Sequence, residues 1–110
     1  LFIQSNGVLS EIKPDYITLG TSFDKEDKSF TISSFKLIAG DWIYLSTDGY
    51  FDQLGGDQNK KFMRSRFKQI ISQVHHLSGQ EQRDVLEREY LTWMGKNEQI
   101  DDVLVWGIRI

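Results

Sequence analysis

Two acidic dipeptide positions in this 110-residue chain are placed where chemistry could occur: Asp48-Gly49 and Asp101-Asp102. Asp48 follows the apolar run Trp42-Ile43-Tyr44-Leu45 and precedes a glycine. A carboxylate there is held at the rim of a rigid strand, while the glycine lets the backbone turn away sharply or approach a ligand closely. Asp101-Asp102 stands immediately before a second β-forming stretch, Val103 to Ile110. If the two strands lie side by side and antiparallel, the end of one meets the beginning of the other. Asp48 and Asp101 then project from the same edge of the sheet. Carboxylates gathered in that way repel one another unless a cation neutralises them, and hard oxygen ligands suit Mg²⁺ or Mn²⁺. A plainer role fits the same residues. Asp-Gly is a common turn, and an aspartate before a strand often caps or solvates its end. Spacing alone leaves both readings open.

Other chemistries fall away. A calcium-binding EF-hand loop starting at Asp48 needs glycine where Gln53 stands and glutamate where Asn59 stands, with a helix in front of it. A phosphate-binding loop around Gly55-Gly56 fails because Lys60-Lys61 lies at the wrong spacing and no Ser or Thr follows. Cysteine is absent, which removes thiolate ligands, disulfides and a cysteine nucleophile. Lys60, Lys61, Arg64, Arg66 and Lys68 form a basic cluster read as the start of a helix, where positive charge opposes the helix dipole. Lys60, Lys61 and Arg64 are therefore candidates for contact with an acidic or phosphorylated partner, against the alternative of a solvated face. His75 and His76 close that helix, where a cation is favoured, and are not read as ligands. Asp52 either supports Asp48 or caps the turn. Trp42, Trp93 and Trp106 read as core or interface anchors.

The elements that must hold these residues are legible as periodicity. Leu1 to Gln4 and Val8 to Ile12 flank Asn6-Gly7, the dipeptide suited to a two-residue hairpin turn in which both central residues take positive φ. Asp24 to Lys28 reads as a charged loop, and Phe30 to Ile38 as a strand by its alternation. Ala39-Gly40-Asp41 is a turn leading into the apolar strand Trp42–Leu45, whose aromatic and β-branched content suits a buried central position. From Phe62 to Leu77 the pattern becomes helical, with Met63, Phe67, Ile70, Ile71 and Val74 on one face. Ser78-Gly79-Gln80-Glu81 is a capping box, announcing a second helix with Leu86, Tyr90, Trp93 and Met94 on its buried side and Gly95 near its end. The order is strands, two helices, one further strand, with no internal repeat or linker, so the fold class is α+β and residues 1–110 form one unit.

Composition sets outer bounds. Hydrophobic residues at 39% and charged residues at 26% predict a packed core. A net charge of −3 argues against a nucleic-acid-binding domain. No apolar run is long enough to span a bilayer, so no membrane contact is expected from this segment. The opening Leu1-Phe2-Ile3 begins directly on strand-like residues and reads as the interior of a larger domain.

At these residues the chain resembles a known family. The segment Gly40 to Gly56, G-D-W-I-Y-L-S-T-D-G-Y-F-D-Q-L-G-G, is similar to the second aspartate motif of the metal-dependent (PPM, type 2C) protein serine/threonine phosphatases, in their bacterial SpoIIE-like or RsbU-like branch. Glu98 to Ile110, E-Q-I-D-D-V-L-V-W-G-I-R-I, resembles that branch's last motif, an acidic pair leading into the final strand. The resemblance covers nearly the whole chain. It implies part of an antiparallel β-sandwich flanked by a helix pair, with a binuclear Mn²⁺ or Mg²⁺ centre in the complete domain. By the same resemblance Asp48 and Asp101 are ligands of one ion, with Asp102 beside them in support. The implied reaction is direct attack of a metal-activated water on phosphoserine or phosphothreonine in a protein, such as an anti-anti-sigma-type regulator. The implied setting is the cytoplasmic output domain of a bacterial signalling protein, whether its sensor is soluble or sits in a membrane.

One departure is informative. The family's N-terminal Asp and Gly-His-Gly motif, which supplies the carboxylate bridging the two metals, has no match in these residues. The expectation is therefore the C-terminal part of a catalytic domain, inactive alone. Its incomplete sheets would leave strand edges open to dimerisation or strand exchange. The alternative is a regulatory or pseudo-phosphatase module that uses the scaffold only for binding.

Overall fold

The computed structural model describes residues 1–15 and 30–110. The expected loop at Asp24 to Lys28 lies outside the described residues.

β1 (Phe2–Ser5) and β2 (Val8–Glu11) form the expected hairpin, with Asn6 at φ 49° and Gly7 at φ 76°, both in the left-handed region that the turn demands. β3 (Trp42–Ser46) pairs antiparallel with β1 on one side, and β6 (Val105–Arg109) pairs antiparallel with β3 on the other. The sheet order is β2-β1-β3-β6. Between β3 and β6 the chain makes a short helix α1 (Gly49–Asp52), a small antiparallel hairpin β4 (Leu54–Gly55) and β5 (Lys60–Lys61), and the helices α2 (Arg64–Val74) and α3 (Gly79–Met94). The α+β class stands, with one four-stranded sheet among the described residues.

Alternation along the strands divides the sheet into two faces. Phe2, Trp42 and Tyr44 are buried with Phe67, Ile70, Ile71, Leu86 and Tyr90 in a single core. Tyr50, Phe51 and Phe62 complete it, edge to face with Phe67 or with each other at centroid distances of 5.0–6.2 Å. The opposite face carries Ile43 against Ile108 and Leu45 against Trp106. Among the described residues its far end is open, with Leu45 40% and Trp106 57% exposed, while Ile3, opposite Ile43 on the same face, is buried.

The helix pair follows its sequence signals with one exception. Ser78 accepts a hydrogen bond from the Glu81 amide while the Glu81 carboxylate accepts from the Ser78 amide, completing the capping box. Gly95 ends α3 at φ 59°, its amide donating to the Leu91 carbonyl. Met63, expected on the buried face of the first helix, is instead exposed, precedes Arg64, and takes φ 76°. The core position falls to Phe62, because β5 delivers it inward before the helix begins.

The expected strand at Phe30 to Ile38 does not form. Its residues alternate correctly, but no described strand lies beside them, and β propensity is expressed only against a ladder partner. Local bonds take over. Asp15 accepts from the Thr31 amide and hydroxyl, and the Ile38 amide donates to the Asp41 carboxylate. Phe30, Ile32, Phe35 and Ile38 remain exposed.

Candidate metal centre

The register of β3 and β6 decides where the carboxylates go. Ser46 lies opposite Val105, and beyond that pair the Thr47 amide donates to the Leu104 carbonyl at 3.0 Å. The Thr47 hydroxyl donates to the Asp102 carbonyl at 2.8 Å and accepts from the Leu104 amide at 2.9 Å. One residue beyond Thr47 the chain reaches Asp48, and two and three residues before Leu104 stand Asp102 and Asp101. Gly49 is buried against that second backbone. A Cβ there would meet the Asp102 carbonyl oxygen, with the carbonyl carbons of Asp102 and Asp101 at 3.0 and 3.3 Å. The two acidic positions therefore share one end of the sheet, and a glycine is needed between them for that approach.

The plain reading of Asp48 as a cap can be tested on the same geometry. Asp48 occupies the N-cap position of α1, yet its side chain makes no cap hydrogen bond. Its exposed carboxylate is therefore not consumed by the turn. Asp101 is exposed too, and one of its carboxylate oxygens accepts from the Asp102 amide at 2.7 Å, which fixes the orientation of the group. Two hard-oxygen side chains at one rim suit Mn²⁺ or Mg²⁺ in kind. They are too few to make a cage, and among the described residues no three His, Asp or Glu side chains come together to hold a metal ion.

Around this rim the structure supplies supports that sequence reasoning did not identify. α1 turns the chain back under the sheet directly after Asp48. Its Tyr50 hydroxyl donates to the Leu86 carbonyl at 2.8 Å, and burial pushes the phenol pKa upward, so the group stays neutral as an anchor. Gly55 and Gly56 pack against Trp93, whose carbonyl accepts from the Gly56 amide at 2.8 Å. Such contacts follow from tertiary placement; the Gly-Gly pair beside a distant tryptophan was the only available signal. A cavity of about 440 Å³, lined by Trp42, Tyr44, Tyr50, Leu86, Val103 and Val105 among others, lies on the helix side of β6 and includes neither Asp48 nor Asp101.

The basic cluster is arranged differently from its reading as a helix start. Lys60 and Lys61 belong to β5, ahead of α2. Lys61 pairs with Asp52 at 3.1 Å, which gives Asp52 a partner in the hairpin. Arg64 and Lys68 both reach Glu11 on β2, at 3.3 and 2.9 Å. The Lys68 hydrogen bond, chiefly, holds the Glu11 carboxyl below its ordinary pKa. Arg66 lies over the Trp93 ring at 4.6 Å and pairs with Glu89 at 3.4 Å. Much of the positive charge is thus engaged within the molecule. The His75 ring nitrogen Nδ1 lies 2.7 Å from the Ser72 carbonyl, in keeping with a role at the helix end.

With this geometry in place, similarity to known proteins becomes decisive. The family profile of stage II sporulation protein E (SpoIIE) matches residues 1–110. The chain belongs to the SpoIIE family. The SiaA-PP2C domain of Pseudomonas aeruginosa has the same fold, with a TM-score of 0.86 and 25% sequence identity over 99% of this chain. The SpoIIE-family chain spans 42% of the length of that solved chain. No curated protein sequence matches it significantly. The fold is thus of the PP2C type expected from the two aspartate motifs. No described helix is long and apolar enough to cross a membrane.

Proposed function

We propose that this SpoIIE-family chain supplies the Asp48 and Asp101 side of a divalent-metal centre in a protein serine/threonine phosphatase. The observation that carries the reading is the shared rim. Asp48, uncommitted as a cap, and Asp101, oriented by the Asp102 amide, stand at one end of neighbouring strands. Bound Mn²⁺ or Mg²⁺ would lower the pKa of a water and stabilise charge on phosphoryl oxygens. The chain's own contribution is to present two carboxylates at one end of the sheet, with Thr47 tying one strand end to the other and Gly49 allowing the backbones to approach. The bridging carboxylate comes from a separate segment. The substrate is a phosphoserine- or phosphothreonine-bearing protein, an anti-anti-sigma-type regulator by family resemblance, and the setting is cytoplasmic signalling.

The test uses the full-length protein on a phosphopeptide with Mn²⁺. Asp48→Asn and Asp101→Asn are each expected to abolish Mn²⁺-dependent turnover, whereas residues 1–110 alone are expected to show none. Robust turnover by residues 1–110 would refute the shared-cage reading. Full-length protein that binds phosphopeptide without hydrolysing it would favour a regulatory binding module.

A further inference from the structure

We propose that Gln53 is a positioning residue for the metal rim, holding the loop that delivers Asp101 against the element that carries Asp48. The proposal rests on the metal reading above.

Gln53 is fully buried at 0% exposure, an expensive place for an amide unless its polar atoms are bonded. Its Oε1 accepts from the Tyr90 hydroxyl at 2.8 Å. Its Nε2 donates to the Leu54 carbonyl at 3.1 Å and to the Glu98 carbonyl at 2.9 Å. Its backbone carbonyl accepts from the Phe62 amide at 2.9 Å and from the Trp93 indole at 3.3 Å. An apolar side chain would fill this volume without the cost of satisfying an amide. What the amide adds is a bond to Glu98, in the segment leading directly to Asp101.

Bonds inside that segment are local: the Asn97 amide donates to the Met94 carbonyl at 3.0 Å and the Gln99 side chain to the Asp101 carbonyl at 2.8 Å. Residues 95–104 form no regular element, so no ladder or helix sets their path. Two moorings do. Behind Asp101, the Thr47 hydroxyl bonds the Asp102 carbonyl and the Leu104 amide. Ahead of Asp101, Gln53 bonds Glu98, and Asn97 beside it donates to the Leu54 carbonyl at 3.1 Å and the Asn59 side chain at 2.9 Å. Both moorings end on residues flanking Asp48, with Thr47 before it and Gln53 after α1. Two ligands of one ion must be held within about 0.5 Å of their working geometry, which requires locked supporting contacts. The amide bridge therefore sets the separation of Asp48 from Asp101, and Asn97 reinforces it.

The experiment measures Mn²⁺ affinity of the full-length protein by calorimetry, at a temperature where circular dichroism shows each variant folded. Gln53→Met is expected to weaken Mn²⁺ binding about tenfold, in the range that supporting partners of metal ligands command. Asn97→Ala, at an exposed position, is expected to weaken it in the same direction by less and carries the test if Gln53→Met does not fold. Tyr90→Phe removes a buried bond to the same amide but spares Glu98. It is expected to lower Tm with Mn²⁺ affinity unchanged. Equal loss of affinity in Tyr90→Phe and Gln53→Met would mean general loosening of the core and would overturn the proposal. Asp48→Asn separates the two levels. If it abolishes binding while Gln53→Met and Asn97→Ala bind normally, positioning by Gln53 is wrong and the metal reading stands. If Asp48→Asn binds normally, both are wrong.

Discussion

Gly49→Ala should damage the protein through space rather than conformation. Gly49 is buried in α1 and its φ is not in the left-handed region, so alanine can adopt its backbone. The added methyl, however, would meet the Asp102 carbonyl oxygen, with the carbonyl carbons of Asp102 and Asp101 at 3.0 and 3.3 Å. These are main-chain atoms and cannot swing aside as a side-chain tip does. Relief requires the Asp101-Asp102 peptide to move away, against the Thr47 hydroxyl bonds of 2.8 and 2.9 Å that tie it in place. Overpacking of this kind costs about 1–3 kcal/mol. That corresponds to roughly a 5- to 150-fold smaller folding constant, since each ~1.4 kcal/mol is tenfold. With a urea slope of about 2 kcal/mol per molar, the midpoint should fall by about 0.5–1.5 M. Tryptophan fluorescence reports the transition, and Mn²⁺ titration of the folded variant should show weakened binding because the peptide that moves carries Asp101. Gly79→Ala is the control. Its Cβ would lie 3.4 Å from the Trp42 ring, close to ordinary contact, at the first position of α3, so little destabilisation is expected. An unchanged midpoint for Gly49→Ala, or equal destabilisation in the control, would refute the argument that backbone crowding at the rim sets the cost.

Glu11 has a lowered folded pKa because Lys68 and then Arg64 hydrogen-bond its carboxylate, so its stabilising share is present above the ordinary value of 4.5 and is lost as pH falls through the lower folded value. Glu11→Gln should accordingly flatten part of the acid limb of a stability-pH profile, and an unchanged limb would contradict the pairing. Tyr44 behaves in the opposite sense. Burial raises its pKa from 10.0 to about 12, so its share is present below pH 10 and is lost as pH rises toward 12. Tyr44→Phe should make the alkaline limb less steep, which urea midpoints measured across that range would show. The uncovered sheet face should make residues 1–110 self-associate, and Leu45→Thr with Trp106→Thr should shift sedimentation toward monomer. A wild-type monomer at every concentration would oppose that expectation.

Legibility in the sequence tracked how local each determinant was. Asn6-Gly7 and Ser78 with Glu81 act within four residues, and both formed as read. Trp42 to Leu45 was apolar enough to declare a central strand, and the two acidic motifs at strand ends fell at one rim because antiparallel pairing leaves little freedom. α1 and the β4–β5 hairpin were not read. They are too short to show periodicity, and distant groups hold them: Leu86 for Tyr50, and Trp93 for Gly55 and Gly56. Phe30 to Ile38 shows the converse error. Its alternation is real, but a pattern states what a segment can do beside a partner and carries no information on whether one is present. Met63 failed for a related reason, since hydrophobic spacing cannot reveal that the backbone reverses just before the helix.

The pairing of β3 with β6 also has a consequence for the order of assembly. Thr47 and Leu104 are 57 residues apart in the chain, whereas α2 and α3 meet across a short turn with its own capping box. Local contacts close fast and distant ones slowly, so the helix pair can be in place while the strand carrying Asp48 still lacks its neighbour. The strand ends that carry Asp48 and Asp101 are brought together only when that pairing closes. A cation recognising both would bind the closed form and not the open one, adding its affinity to the final step alone. Metal supply would then act as a latch on chain maturation, distinguishing finished molecules from those whose helices are built but whose rim is still ajar.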